Sequence, residues 1–218
     1  REDLQDVFSF KIRGAYNKIS SLSPENIKKG IVCASAGNHA QGVALSCYLL
    51  KIKGKIYMPA PTPNQKVEQV KMFGKQYVEM VLIGDTFDDS YHEAIKECEK
   101  FGKPLVHPFN DPKVIEGQGT VGLEIIHQSK IPIDYIFIPV GGGGLASGLS
   151  TAVKALSPKT KIIGVEPAGA PSMSLSIDKG EIIKLNQIEK FVDGASVKRV
   201  GDLTFEICHR NLDLMTTV

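Results

Sequence analysis

Short apolar runs alternate with helix-like runs along most of this chain, and that alternation constrains its fold more than any single motif. Ile31–Ala34 is a short apolar run, followed by helical periodicity over Gly42–Leu50. Lys55–Met58 reads as a second strand, closed by Pro59, Pro61 and Pro63, and Gln65–Phe73 as a helix. Tyr77–Ile83 then reads as a strand, Asp88–Phe101 as an amphipathic helix, Pro104–His107 as a short strand and Ile115–Ser129 as a helix. Tyr135–Val140, Ile162–Val165 and Phe205–Leu212 continue the alternation. Parallel strands need long crossovers, and helices are the usual crossover, so repeated β-then-α units predict parallel sheets in an α/β fold. The Pro- and Gly-containing stretch 108–119 is where the chain is expected to pass from one sheet to another. No internal repeat or low-complexity segment stands out.

One of these units carries a second signal. Tyr135–Val140 empties into Gly141, Gly142, Gly143 and Gly144, and a helix-like pattern from Leu145 to Leu156 follows directly. Glycine has no Cβ, so four in a row let backbone N–H groups turn toward a common point. The next helix adds its own free N–H groups and the positive end of its dipole. Strand, glycines and helix fall in the order of a cradle for an anion, most simply a phosphate; a flexible connecting loop is the plainer alternative.

Composition narrows the class. With 218 residues, 42% of them apolar, the chain can bury a full core as one large or two small domains. A net charge of +2 with scattered Lys and Arg gives no nucleic-acid surface. Cys33, Cys47, Cys98 and Cys208 form no C-x-x-C pair and read as reduced thiols of a cytoplasmic protein rather than a disulfide or zinc framework. No apolar run is long enough to span a membrane.

Two further segments carry candidate chemistry. In Ser9-Phe10-Lys11-Ile12-Arg13-Gly14-Ala15 a lysine sits between two apolar residues, where partial desolvation would favour the neutral amine, a nucleophile able to form a Schiff base. Taken alone, most such lysines simply snorkel to solvent. In Ser35-Ala36-Gly37-Asn38-His39-Ala40-Gln41-Gly42 a strand ends in small polar residues before a helix, so free N–H groups could bind a carboxylate and Asn38 could serve a ligand as donor or acceptor. An ordinary capped helix start explains the segment equally well, and His39 alone reads as a structural histidine. Gly117-Gln118-Gly119-Thr120-Val121-Gly122 fits G-x-G-x-x-G, but no strand precedes it, so it reads as close helix packing and not as a dinucleotide site.

Taken in order, the wording of the three segments closely resembles the threonine dehydratase (threonine ammonia-lyase) family, whose members have the tryptophan-synthase-β-like fold of pyridoxal 5'-phosphate enzymes. The resemblance covers essentially all 218 residues, including Arg1-Glu2-Asp3, Gly117-Gln118-Gly119-Thr120 and Val197-Lys198-Arg199-Val200-Gly201-Asp202. It implies two parallel-sheet, three-layer domains with the cofactor cleft between them. Residues 1–14 would begin the large domain, 15–113 form the small domain and 114–218 continue the large one. It implies that Lys11 holds pyridoxal phosphate through a Schiff base and serves as the catalytic base, that Phe10 packs against the ring, and that Asn38 bonds the ring's phenolic oxygen. Gly141, Gly142, Gly143, Gly144 and the Leu145 N–H would hold the phosphate, and Ser35, Ala36, Gly37, Asn38 and His39 the substrate carboxylate. The activity implied is deamination of L-threonine to 2-oxobutanoate and ammonia, with serine to pyruvate as a weaker reaction, in a homo-oligomer (dimer or tetramer) whose only other partner is the small amino-acid substrate, without nucleic acid or membrane.

Two departures bear on this. Related serine racemases carry a second serine, the base on the opposite ring face, where this chain has Ala36; elimination is therefore expected over racemisation. Their divalent-cation site begins at a Glu-Pro pair resembling Glu166-Pro167, but the acidic partner six residues on is Ser172 here, so no tight metal site is expected and Glu166 is at most a weak cation ligand. A serine dehydratase or racemase, or a non-catalytic phosphate-ligand or regulatory module, are the alternative readings. The chain opens on Arg1 and closes inside what reads as a strand, 212–218, so both ends look truncated and the family's partner for the pyridine nitrogen would lie beyond Val218.

Overall fold

The computed structural model describes residues 1–189 and 191–218 and resolves into two compact units, Arg1–Pro108 and Phe109–Val218. The first is built on three parallel strands in the order β1 (Ile31–Ala34), β2 (Gly54–Met58), β3 (Val78–Leu82). Helices α1 (Lys11–Ser20), α2 (Pro24–Lys29), α3 (Asn38–Leu50), α4 (Asn64–Gly74) and α5 (Phe87–Phe101) connect and cover them. Alternate strand residues feed two cores: Ile31, Cys33, Ile56 and Met58 pack with Val43, Ala44 and Val67 on one face, while Val32, Ala34 and Tyr57 pack with Ala94 on the other. A sheet covered on both faces explains why β1 is apolar at every position.

The second unit repeats the arrangement with β4 (Tyr135–Pro139), β5 (Lys161–Glu166) and β6 (Leu214–Thr217), again parallel and in sequence order. Helices α6 (Pro112–Gln128), α7 (Gly144–Leu156), α8 (Ser172–Lys179) and α9 (Asp202–Asn211) share one core with Ile136, Ile138 and Ile162. Here β4 alternates: Ile136 and Ile138 are buried, while Tyr135 and Phe137 are 61% and 66% exposed.

The α/β class and the parallel sheets match the pattern of the sequence, with local corrections. Pro104–His107 forms no strand; it contributes a single bridge, Leu105 to Val32, with Val106 N–H donating to the Val32 carbonyl at 2.8 Å. Pro104 has no N–H to give, which shortens the ladder there. Phe205–Leu212 falls in helix α9. Helix α3 begins at Asn38, because His39–Cys47 are all buried and leave its start without a polar face to mark it. Glycines 119 and 122 of the G-x-G-x-x-G match lie inside α6, where a Cβ would meet the Gly148 carbonyl at 3.1 Å and the Leu149 carbonyl at 3.0 Å of α7, so they serve helix packing. Cys33, Cys47 and Cys208 are buried free thiols, and among the described residues no helix is long and apolar enough to cross a membrane.

Candidate active site

In the first unit, Lys11 opens α1, and its Nζ donates to the Pro108 carbonyl at 2.9 Å. The residue is partly buried, and its Nζ lies 5.5 Å from the centre of the Phe10 ring. Burial pulls its pKa down to about 8, against a small opposing pull from Cys33 on β1. Gly42 of α3 fixes this position: a Cβ there would meet the Lys11 carbonyl carbon at 3.0 Å and Ile12 N at 3.1 Å, so only glycine lets the two helices approach so closely. The result is the opposite of snorkelling: a lysine whose free amine is available near neutral pH.

The segment after β1 turns into α3. Ser35 Oγ accepts from Gly37 N–H at 3.3 Å and stiffens the turn without capping the helix, whose N-cap position is Gly37. Ala36 presents only a methyl group. Asn38 stands exposed at the first helical position, where helix N–H groups have no intrahelical partner. His39 is buried, and its Nε2 pairs with the Val106 carbonyl at 2.9 Å. Burial first, then the Lys11 charge, pushes its pKa down to about 3, so the ring is neutral at any ordinary pH. Its side chain therefore fixes the start of α3, and any contact with a carboxylate would come from its backbone.

In the second unit the glycine run joins a strand directly to a helix. Val140 N–H closes the strand on the Val165 carbonyl at 2.8 Å; three glycines follow, and α7 starts at Gly144. Gly143 has φ 90°, the left-handed region. The side where a Cβ would stand is filled at each position: by Ala195 behind Gly141, the Phe109 ring behind Gly142, Met173 Cε at 2.7 Å behind Gly143 and Phe109 Cβ at 2.8 Å behind Gly144. Side chains are excluded from the loop, and the backbone donors of Gly144 and Leu145 head a thirteen-residue helix.

Glu166 ends β5 fully buried. Its two carboxylate oxygens accept from Met173 N–H at 2.8 Å and from Ser174 N–H and Oγ, both at 2.7 Å. It caps α8, whose own N-cap position is Pro171. Burial raises its pKa, and these donors oppose the rise. Both oxygens are engaged by these donors, and no group of three or more His, Cys, Asp or Glu side chains that could hold a metal ion occurs among the described residues.

The residues present fit pyridoxal phosphate. A low-pKa amine suits an aldehyde, and a loop whose Cβ positions are blocked by protein suits a phosphate. Sequence reading missed the supports of this site: Pro108 and Val106, whose carbonyls hold Lys11 and His39, and Phe109, which backs the glycines. These are long-range pairings without a local signature. Asp111 was missed as well, though Asp-Pro ahead of a helical pattern was a signal that could have found the cap it makes, accepting from Lys113 N–H at 2.8 Å and Val114 N–H at 3.1 Å.

Comparison with known proteins agrees. A family model described as "Pyridoxal-phosphate dependent enzyme" matches residues 1–218. The chain is 57% identical over 213 residues to the L-threonine dehydratase biosynthetic IlvA of Halalkalibacterium halodurans, covering 98% of this chain and 51% of that protein. Its fold superposes on the processed form of threonine deaminase isoform 2 from Solanum lycopersicum with TM-score 0.96 at 50% identity, covering 100% of this chain and 59% of that one. Maize serine racemase gives TM-score 0.94 at 37% identity, covering 100% and 65%. The chain spans about half the length of the curated relatives it matches. A partly buried lysine, a glycine cradle and a family match over every residue lead to one statement: the chain belongs to the family of pyridoxal-phosphate-dependent enzymes.

Proposed function

We propose that the protein carrying this chain deaminates L-threonine to 2-oxobutanoate and ammonia, with serine a weaker substrate. The observation that carries the reading is Lys11: a primary amine with its pKa lowered to about 8, on the motif that heads the chain's resemblance to threonine dehydratases. The 57% identity to a protein named L-threonine dehydratase supports the substrate.

Pyridoxal phosphate held here would supply an aldehyde that condenses with a primary amine and a ring able to delocalise negative charge from the α-carbon. The chain's residues do the rest. Lys11 Nζ is the covalent anchor and, once free, the base that takes the α-proton; its lowered pKa keeps a useful fraction neutral at physiological pH. Phe10 gives an apolar wall beside that amine, and Asn38 offers its amide to the ring's phenolic oxygen. The first turn of α3, with Ser35, Ala36, Gly37 and the His39 backbone, takes the substrate carboxylate. Gly141–Gly144 and Leu145 hold the phosphate through backbone N–H groups. Ala36 has no proton to move, which favours elimination over racemisation. In the whole protein, residues 1–14 and 114–218 would belong to one domain and 15–113 to the other. The reading makes the protein a cytoplasmic homo-oligomer; the free thiols support the first part and the family resemblance the second.

The test is spectroscopic. Supplied with pyridoxal phosphate, the protein should show an absorbance band near ~410–420 nm, characteristic of a lysine Schiff base, that borohydride and Lys11→Ala both abolish. The pH dependence of band formation should have its midpoint near 8, because the neutral amine accumulates as pH rises through the Lys11 pKa. Absence of the band would end the enzyme reading; a clear preference for pyruvate formation from serine would end the threonine assignment.

A further inference from the structure

Thr204 lies in α9, far along the chain from the glycine loop, yet its hydroxyl reaches that loop. Thr204 Oγ1 donates to the Gly142 carbonyl at 2.6 Å and accepts from Gly201 N–H at 3.1 Å; the Gly201 carbonyl, at 3.2 Å, is the longer alternative for the hydroxyl proton. The residue is fully buried. Its helix is held where it is: Leu203 N–H donates to Asn110 Oδ1 at 3.0 Å, and Ser147 Oγ of α7 donates to the Thr204 carbonyl at 3.2 Å.

The geometry has a consequence for the loop's donors. Among the described residues no peptide bond is cis, so in each of these peptide units the N–H points opposite to the C=O. With the Gly142 carbonyl turned to Thr204, the Gly143 N–H is turned away from that hydroxyl. The next unit agrees, because the Gly143 carbonyl accepts from Ser147 N–H at 2.8 Å, with Cys208 Sγ at 3.8 Å, and so turns the Gly144 N–H away from them. Ser147 belongs to α7 and fixes its peptide as part of the helix. The Gly142–Gly143 peptide has no such support in its own element. Flanked by glycines it has no Cβ of its own to resist a flip, and Gly143 sits at φ 90°, a region glycine enters about as readily as negative φ.

We propose that Thr204 is a positioning residue for this loop: its hydroxyl holds the Gly142–Gly143 peptide in the orientation that presents the Gly143 N–H to the cofactor phosphate. The inference rests on the reading of the loop as the phosphate grip. It predicts that loss of the hydroxyl weakens recognition of the phosphate and leaves recognition of the pyridoxal ring and aldehyde intact.

The experiment compares binding of pyridoxal phosphate and of pyridoxal, which lacks the phosphate, to the whole apoprotein by absorbance titration. The wild type should prefer the phosphorylated form. Thr204→Val should lower that preference by about tenfold, as expected when one hydrogen bond is lost and its carbonyl is left unpaired, with pyridoxal affinity unchanged. Thr204→Ser, which keeps the hydroxyl, should restore the wild-type ratio. Thr204→Ala carries the same expectation as valine and replaces it if the valine variant does not fold. A wild type with equal affinity for the two ligands would overturn the phosphate-grip reading itself. A selective wild type whose valine or alanine variant keeps full selectivity would overturn the role of Thr204 alone. Failure of both hydroxyl-free variants to fold would assign Thr204 to folding and overturn its positioning role.

Discussion

The two units solve one topological problem with different means. Each has three parallel strands in sequence order, and each ends its first strand in a loop that starts a helix. After β1, the loop is made of side chains: Ser35 stiffens it, Asn38 stands at the helix start, and a buried neutral His39 ties it to Val106. After β4, the loop is bare backbone, with protein packed wherever a side chain would go. The sheets differ too, β1 and β2 being buried on both faces and β4 on alternate residues only. A loop built from side chains can be tuned within itself one residue at a time, whereas a loop built from backbone can be tuned only through the residues packed around it.

The largest test of the comparison is in the sheets. Ile56→Ala on β2 should cost about 2–5 kcal/mol, the usual loss for a fully buried aliphatic, while Phe137→Ala on β4 should cost less than about 1 kcal/mol. Urea-unfolding midpoints at constant slope would measure both, and an equal loss at Phe137 would mean that the outer face of β4 is covered in the protein. The loops give the next effect. Gly143→Ala combines a left-handed φ with a Cβ directed at Met173 and Thr204, and should weaken pyridoxal phosphate binding by roughly 100-fold, the sum of about 1–2 kcal/mol of backbone strain and a similar overpacking cost. A near-normal affinity would show that the loop adapts and is not a fixed cradle.

The smallest effect separates the units by pH. Unfolded His39 takes up a proton below its ordinary pKa of 6.5, but folded His39 does so only near 3. Between these values the unfolded state binds more protons, so stability contributed by the neutral ring falls as the solution is acidified. By pH 5 the loss should reach up to about 2 kcal/mol, and His39→Gln should flatten that slope in apoprotein melting curves. An unchanged slope would move the acid sensitivity to another group.

Legibility in the sequence followed the range of the interactions. The strand-to-helix order around the four glycines could be read because the three are contiguous in the chain. The parallel α/β class could be read because its period repeats. Lys11 could not be told from a surface lysine, since its setting depends on Pro108 and on a glycine, Gly42, in another helix. Helix α8 was hidden by its own pattern: Ser172, Ser174 and Ser176 alternate with Met173, Leu175 and Ile177 in the period of a strand. What makes it helical at its start is Glu166, a residue outside the helix that the sequence offered only as a weak cation ligand. Thr204 left no trace at all, because nothing near it in the chain says that its hydroxyl belongs to Gly142.

The buried thiols give each unit its own clock. Cys33 and Cys47 lie in the core of the first unit and Cys208 in that of the second, and burial pushes all three pKa values up, that of Cys47 to about 12. Alkylating reagents attack the thiolate, so these sulfurs should react only when the structure around them opens, while partly buried Cys98, its pKa pushed up by burial to about 11, should react ahead of them. The order in which the four are labelled is therefore a record of which unit breathes first, written by the protein without any added probe.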